Sequence, residues 1–297
     1  MQSRSYLAVF IIFVFLNYFV YECKHLKQTG KKHHHNKKNS TLEGKIVGGE
    51  AAALEDYPYA VQFFNMGGLC GGVILNSWTI ITSAHCLASN TKTEEMVVQA
   101  GSKYIYDFNS EKYKVRSFVI HEDYSKEQIF SCDIALIFLE RPIKLGKLAK
   151  KGILVNHDKW MDDREKKFVV AGWGWTKYGG DVSKGLMMTH LQFVSSEDCT
   201  RLHNSYKLTP DMFCLYGDGK RDTCRGDSGG GVLWNDMLVG LTSHGDGCAN
   251  KDSPSVYTNL WVLRNWIKKH VYEFIVNYCL DKYQTKKKQI DMLVALE

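Results

Sequence analysis

DTCRGDSGGGVLW, Asp222 to Trp234, is the stretch on which the reading of this chain turns. Asp227 and Ser228 stand side by side, glycines flank them on both sides, and apolar residues close the run. One reading is an ordinary glycine-rich turn leading into a strand. The other is a backbone shaped around Ser228. A serine hydroxyl has no special nucleophilicity alone; it needs a base, a group that orients the base, and donors for the oxyanion that forms. The rest of the chain decides between the two.

The 297 residues have ample length for a substantial core, and 44% hydrophobic with 24% charged residues is a globular composition. The net charge of +6 is unevenly placed. Lys24, Lys27, Lys31, Lys32, Lys37, Lys38 and Lys45, with His25 and His33 to His35, face one acid, Glu43, and Lys286 to Lys288 form a second basic cluster. The middle of the chain is close to balanced, which argues against a nucleic-acid-binding core. Arg4 precedes an apolar run from Tyr6 to Tyr21, short for a spanning helix and suited to a secretory signal over residues 1–23, with an uncleaved membrane anchor as the alternative. Nine cysteines agree with export. Asn39-Ser40-Thr41 is a glycosylation sequon, a triplet that also arises by chance.

Residues 24–44 are polar, rich in Lys and His and without hydrophobic periodicity, which predicts disorder, and 24–45 is set apart as a basic segment ahead of the structured chain. The His33 to His35 tract reads as a solvated run in preference to a metal site. From Ile46 onward short apolar segments alternate with turns, among them YAVQFF, WTIITSA, DIALIFL, KFVVAGWG, MLVGLTSHG and SVYTNL. That pattern predicts an all-β barrel or sandwich. Apolar residues recur at helical spacing from Trp261 to Leu280, which predicts a C-terminal helix on the body. A further helical turn is expected in IDMLVALE at the C-terminus.

A base for Ser228 is available at His85, in TSAHC after an apolar strand, and an orienter at Asp133, at the head of DIALIFL. A carboxylate in such a run is buried, and burial without a partner is costly. A histidine N–H is its most economical partner. Each residue alone has an ordinary structural reading; their conjunction in one exported β-rich chain favours chemistry.

Five motifs, IVGGE at Ile46–Glu50, TSAHC at Thr82–Cys86, DIALI at Asp133–Ile137, AGWG at Ala171–Gly174 and GDSGG at Gly226–Gly230, make the chain resemble the chymotrypsin-fold, trypsin-like serine proteases from about Ile46 to His270. The resemblance implies two six-stranded antiparallel β-barrels with a C-terminal helix, and the triad His85, Asp133 and Ser228. It implies an oxyanion hole from the amides of Gly226 and Ser228, and a substrate pocket with Asp222, Ser243, Gly245 and Ser255. It implies activation by a cut between Lys45 and Ile46, the new Ile46 amine pairing with Asp227. It also implies the disulfides Cys70–Cys86, Cys199–Cys214 and Cys224–Cys248. Cys23, Cys132 and Cys279 are left over, and a Cys132–Cys279 bond is open if Cys23 leaves with the signal.

Residues 46–272 are thus expected to be the peptidase domain and 273–297 an extension. The expected protein is a secreted, extracellular endopeptidase made as a zymogen, cutting proteins or peptides after Arg or Lys. It needs an activating protease, meets protein inhibitors, and uses no cofactor or nucleic acid. Residues GSKYIYDFNSE, 101–111, lack the acid of a calcium loop, so no metal is expected. His244 and Ser255 stand where the family usually has tryptophan and glycine. The alternative function is a non-catalytic homologue that binds or regulates.

Overall fold

A computed structural model of the chain describes residues 46–163, 167–203 and 206–294, side chains beyond residue 282 excepted. The expectations for residues 1–45 (the apolar segment, Cys23, the histidine tract, the sequon at Asn39 and the cut after Lys45) lie outside the described residues.

Fourteen short strands form among the described residues. In chain order they are β1 (Glu50–Ala51), β2 (Ala60–Asn65), β3 (Gly68–Asn76), β4 (Thr79–Thr82), β5 (Met96–Ala100), β6 (Glu111–Ile120), β7 (Ala135–Leu139), β8 (Ile153–Leu154), β9 (Phe168–Gly172), β10 (Met187–Val194), β11 (Met212–Tyr216), β12 (Gly231–Trp234), β13 (Met237–His244) and β14 (Ser255–Asn259). The first barrel closes in the order β2-β3-β4-β7-β6-β5. The second runs β10-β11-β14-β13-β12-β9 and closes by pairing β9 with β10. β1 is added antiparallel to β10, and β8 parallel to β13. The expected fold, two six-stranded antiparallel barrels and a C-terminal helix, is the one observed.

Strand β7 shows why its sequence is continuously apolar. Successive side chains point to opposite faces of a strand. Ala135, Ile137 and Leu139 fill the first barrel, while Leu136 and Phe138 join the larger core that includes Val232, Leu238 and Leu241 of the second. A strand buried on both faces has no polar alternation to display.

Helix α1 (His85–Ala88) follows β4, and α2 (Ser196–Leu202) is capped by Ser195, whose Oγ accepts the Asp198 N–H at 3.1 Å. Helix α3 runs from Arg264 to Val294, longer than the expected Trp261–Leu280 and without a break near residue 272. Trp261 to Leu263 lie before its first turn. Trp266 and Ile267 enter the main core, Phe274 stacks on Phe138 at 4.1 Å, and Tyr278 lies 4.8 Å from Trp78. The first extension residues are therefore packed on the first barrel.

All three expected disulfides are present: Cys70–Cys86, Cys199–Cys214 and Cys224–Cys248. Loops of such length contribute about 3 kcal/mol each in the chain-entropy account. Cys132 and Cys279 do not pair with each other; both are free thiols, the first partly buried and the second exposed. Cys132 is tied to the body by its N–H, which donates to Asp211 Oδ2 at 2.6 Å.

Candidate active site

His85 and Asp133 come together through strand pairing. β4 and β7 are antiparallel neighbours with Thr82 opposite Ala135. His85 stands three residues past that pair on one strand, and Asp133 two residues before it on the other, so both emerge at the same barrel edge. The His85 N–H donates to Asp133 Oδ1 at 3.0 Å, and His85 Nδ1 meets Oδ2 at 2.8 Å. Asp133 is fully buried, and the His85 side chain keeps 23% of its exposure. A proton on Nδ1 serves the carboxylate and leaves Nε2 with its lone pair.

A third donor reaches Asp133 from 110 residues away: Ser243 Oγ, at 2.5 Å from Oδ2. Thr258 Oγ1 also donates to the Asp133 carbonyl at 2.9 Å. The resemblance assigns Ser243 to the substrate pocket, but its hydroxyl is committed to Asp133. Only its main chain is left to face a substrate. Thr258 carries no sequence signal, since its partner is fixed by packing between barrels.

Ser228 arrives from the second barrel, in the turn before β12. Its carbonyl accepts the Gly71 N–H at 2.7 Å, and Ser83 Oγ donates to the Thr242 carbonyl at 2.8 Å, so the barrels are stitched beside the site. The flanking glycines now have a cause. Gly226 and Gly229 have φ of +100° and +78°, a region that L side chains rarely adopt, and a Cβ on Gly229 would lie 2.1 Å from Thr82 Oγ1. The Asp227, Gly229 and Gly230 amides donate to carbonyls, whereas those of Gly226 and Ser228 donate to no group among the described residues. Ser228, His85 and Gly226 line one cleft.

Asp227 points inward. Its Oδ1 accepts the Gly174 N–H at 2.8 Å and its Oδ2 the Cys224 N–H at 3.0 Å. Burial pushes its carboxyl up to about 7 despite those donors, and nearby Asp222 adds to the rise. The AGWG motif is explained by this carboxyl: a Cβ at Gly172 would lie 2.1 Å from Oδ1, and one at Gly174 2.4 Å from Cγ. Ile46 is wholly buried, and the Val47 carbonyl accepts the Asp222 N–H at 3.2 Å.

Asp222, which the resemblance assigns to the substrate pocket, is buried. Its Oδ1 accepts the Thr223 N–H at 2.8 Å; its Oδ2 accepts the Ala249 N–H at 2.9 Å and the Ser255 hydroxyl at 2.8 Å. Burial lifts its carboxyl to about 6. A Cβ on Gly245 would come within 2.8 Å of Ser255 Oγ, so a side chain there would have to displace the Ser255 hydroxyl from Asp222.

His244 is held among aromatic rings. It stacks on Phe130 at 4.5 Å and meets Tyr206 at 5.1 Å, and Phe130 in turn presents its ring to His85 at 5.7 Å. His244 Nδ1 lies 3.0 Å from Ser243 Oγ. Because the Ser243 proton is given to Asp133, the Nδ1–H donates to Ser243, and the buried Nε2 has no hydrogen-bond partner among the described residues. Burial pushes the His244 ring down to about 4, so it is neutral at ordinary pH. Burial likewise pushes the Cys132 thiol up to about 12, with Asp211 adding to it.

The Trypsin family model matches residues 46–267. Trypsin zeta of Drosophila melanogaster is 33% identical over 244 residues, covering 77% of this chain and 86% of its own length. Trypsin alpha-4 of Lucilia cuprina is 34% identical over 229 residues, covering 76% and 87%. Hypodermin-B of Hypoderma lineatum is 35% identical over 239 residues, covering 78% and 90%. Fold, family match and relatives converge: the chain belongs to the trypsin family and is a trypsin-like serine protease.

Proposed function

We propose that the chain is a secreted endopeptidase made as an inactive precursor, activated by a cut after Lys45, and hydrolysing peptide bonds after Arg or Lys. The observation that carries the catalytic part is one constellation. His85 is locked to buried Asp133, and opens with Ser228 on a single cleft beside two amides that have no acceptor among the described residues.

In this reading Ser228 Oγ attacks the scissile carbonyl while His85 Nε2 takes its proton and passes it to the leaving amine. Asp133 holds the ring and stabilises the imidazolium. The Gly226 and Ser228 amides receive the oxyanion, the largest single contribution in such chemistry. Water then hydrolyses the acyl-enzyme by the same proton path.

Asp222 supports preference for a long cation, because a buried carboxylate is best matched by a positive side chain. Its three donors leave one of about four acceptor positions for that cation, so the attraction is weakened. Basic specificity with reduced efficiency follows. The buried, doubly bonded Asp227 supports the activation step, since an ammonium at Ile46 supplies the counter-charge it lacks. The three disulfides support export, and no described helix is long and apolar enough to cross a membrane. The partners in this reading are protein or peptide substrates, an activating protease and protein inhibitors.

The test is covalent labelling with an irreversible serine-directed phosphonate. The protein cut after Lys45 should be labelled at Ser228 and the uncut protein should not. Absence of label after a verified cut would refute the enzymatic reading.

A further inference from the structure

A cleft of about 400 Å³ lies beside Ser228 and His85. The Cys70–Cys86 disulfide forms part of its lining, with Leu69, Tyr106 and Trp175 among the apolar and aromatic walls. None of Asp222, Ser243, Gly245 and Ser255 lines it. A peptide crossing Ser228 extends in two directions from the scissile bond. The Asp222 pocket takes the side chain before the cut, so this cleft faces the residues after it.

Among the described residues that line the cleft, Arg225 is the one permanently charged group and none is an acid. Its guanidinium stands 5.4 Å from the centre of the Trp175 ring, and the Trp175 N–H donates to the Arg225 carbonyl at 2.8 Å. Ring and cation are thus held on the same pair of chain segments. Arg225 is exposed, and no carboxylate among the described residues pairs with it. A positive, aromatic-walled cleft without its own anion is built for a carboxylate on an apolar neck.

We infer that this cleft selects an acidic side chain within the first two residues after the scissile bond, with Arg225 as its counter-charge and Trp175 as the surface for its methylenes. The inference rests on the protease reading above. It has a consequence for the precursor. Ile46-Val47-Gly48-Gly49 follow the activating cut, and the first acid is Glu50. The precursor's own cut site therefore lacks the favoured acid, and the active form should cut it less readily than a substrate that carries one.

The test uses protein activated by added trypsin and then freed of it. Peptides share one sequence up to an Arg at the cut and carry Glu, Gln or Lys at the first or at the second position after it; kcat/KM is read by separating the products. Glu should exceed Gln by about threefold to fivefold and Lys by about tenfold at low salt, the modest size set by solvent around an exposed cation. The ratios should shrink in about 1 M salt. Arg225→Gln should bring Glu and Gln to parity, Arg225→Glu should reverse the order, and Arg225→Lys should keep it. A peptide spanning Lys45 to Glu50 should be cut more slowly than the Glu peptide. Equal cutting of Glu, Gln and Lys peptides by the unmodified protein overturns this inference alone. Failure to cut any of them overturns the protease reading, and this inference with it.

Discussion

Cutting the Lys45–Ile46 bond should change how stability depends on pH, and the size of the change follows from Asp227. Its carboxyl is buried, with two N–H donors, and titrates at about 7 in place of the ordinary 3.8. A folded value above the unfolded one means that the native state binds the additional proton. Its stabilising contribution is complete below about pH 4 and is lost as pH rises towards 7. Three powers of ten in proton binding, at about 1.4 kcal/mol each, make that loss about 4 kcal/mol. An ammonium beside the carboxylate favours the ionised form, so the cut protein should not suffer this loss. Urea unfolding of Ser228→Ala protein, cut and uncut, at about pH 4.5 and about pH 7.5 measures it. The cut form should gain about 3 kcal/mol over the uncut form between the two pH values, and Asp227→Asn should abolish the gain. Parallel pH curves for the two forms would refute the pairing of Ile46 with Asp227.

Ser255→Gly should raise kcat/KM for Arg and Lys peptides about fivefold to tenfold, because it frees a Asp222 oxygen from a charge-assisted bond of that order. Asp222→Ser should remove the basic preference while the triad stays intact; peptides differing only before the cut measure both. Ser243→Ala removes one of three donors to the buried Asp133 carboxylate, so kcat should fall about tenfold with KM little changed, read from steady-state kinetics. A thiol reagent applied to the native, activated protein should modify Cys279 and spare Cys132 until denaturant is added, as peptide mapping by mass spectrometry will show.

Much of the site was legible because its chemistry is local. The motifs around His85, Asp133 and Ser228 each end or begin an apolar strand, and the glycines of GDSGG and AGWG answer to backbone needs within a few residues. The three disulfides followed from the resemblance. The C-terminal helix was visible by its periodicity, but its length was not. LDKYQTKKKQ loses the apolar repeat, while Phe274 and Tyr278 anchor the preceding turns on Phe138 and Trp78. The helix nevertheless continues to Val294.

By itself, then, the sequence determined the barrel architecture, through short apolar segments and turns, and which residue types stand ready for acyl transfer. Tertiary structure decided who touches whom. Ser243 is 110 residues from Asp133, and Ser255 is 33 from Asp222, separations that no local pattern encodes. That the Ser255 hydroxyl bonds the Asp222 carboxylate was decided by the fold, which brings the start of β14 beside it. The same is true of His244, neutral because Phe130, Tyr206 and burial surround it, and of Arg225, whose position over Trp175 depends on two loops meeting. Hydrogen bonds and desolvation act over a few ångströms in space, and only the closed barrels bring those ångströms about.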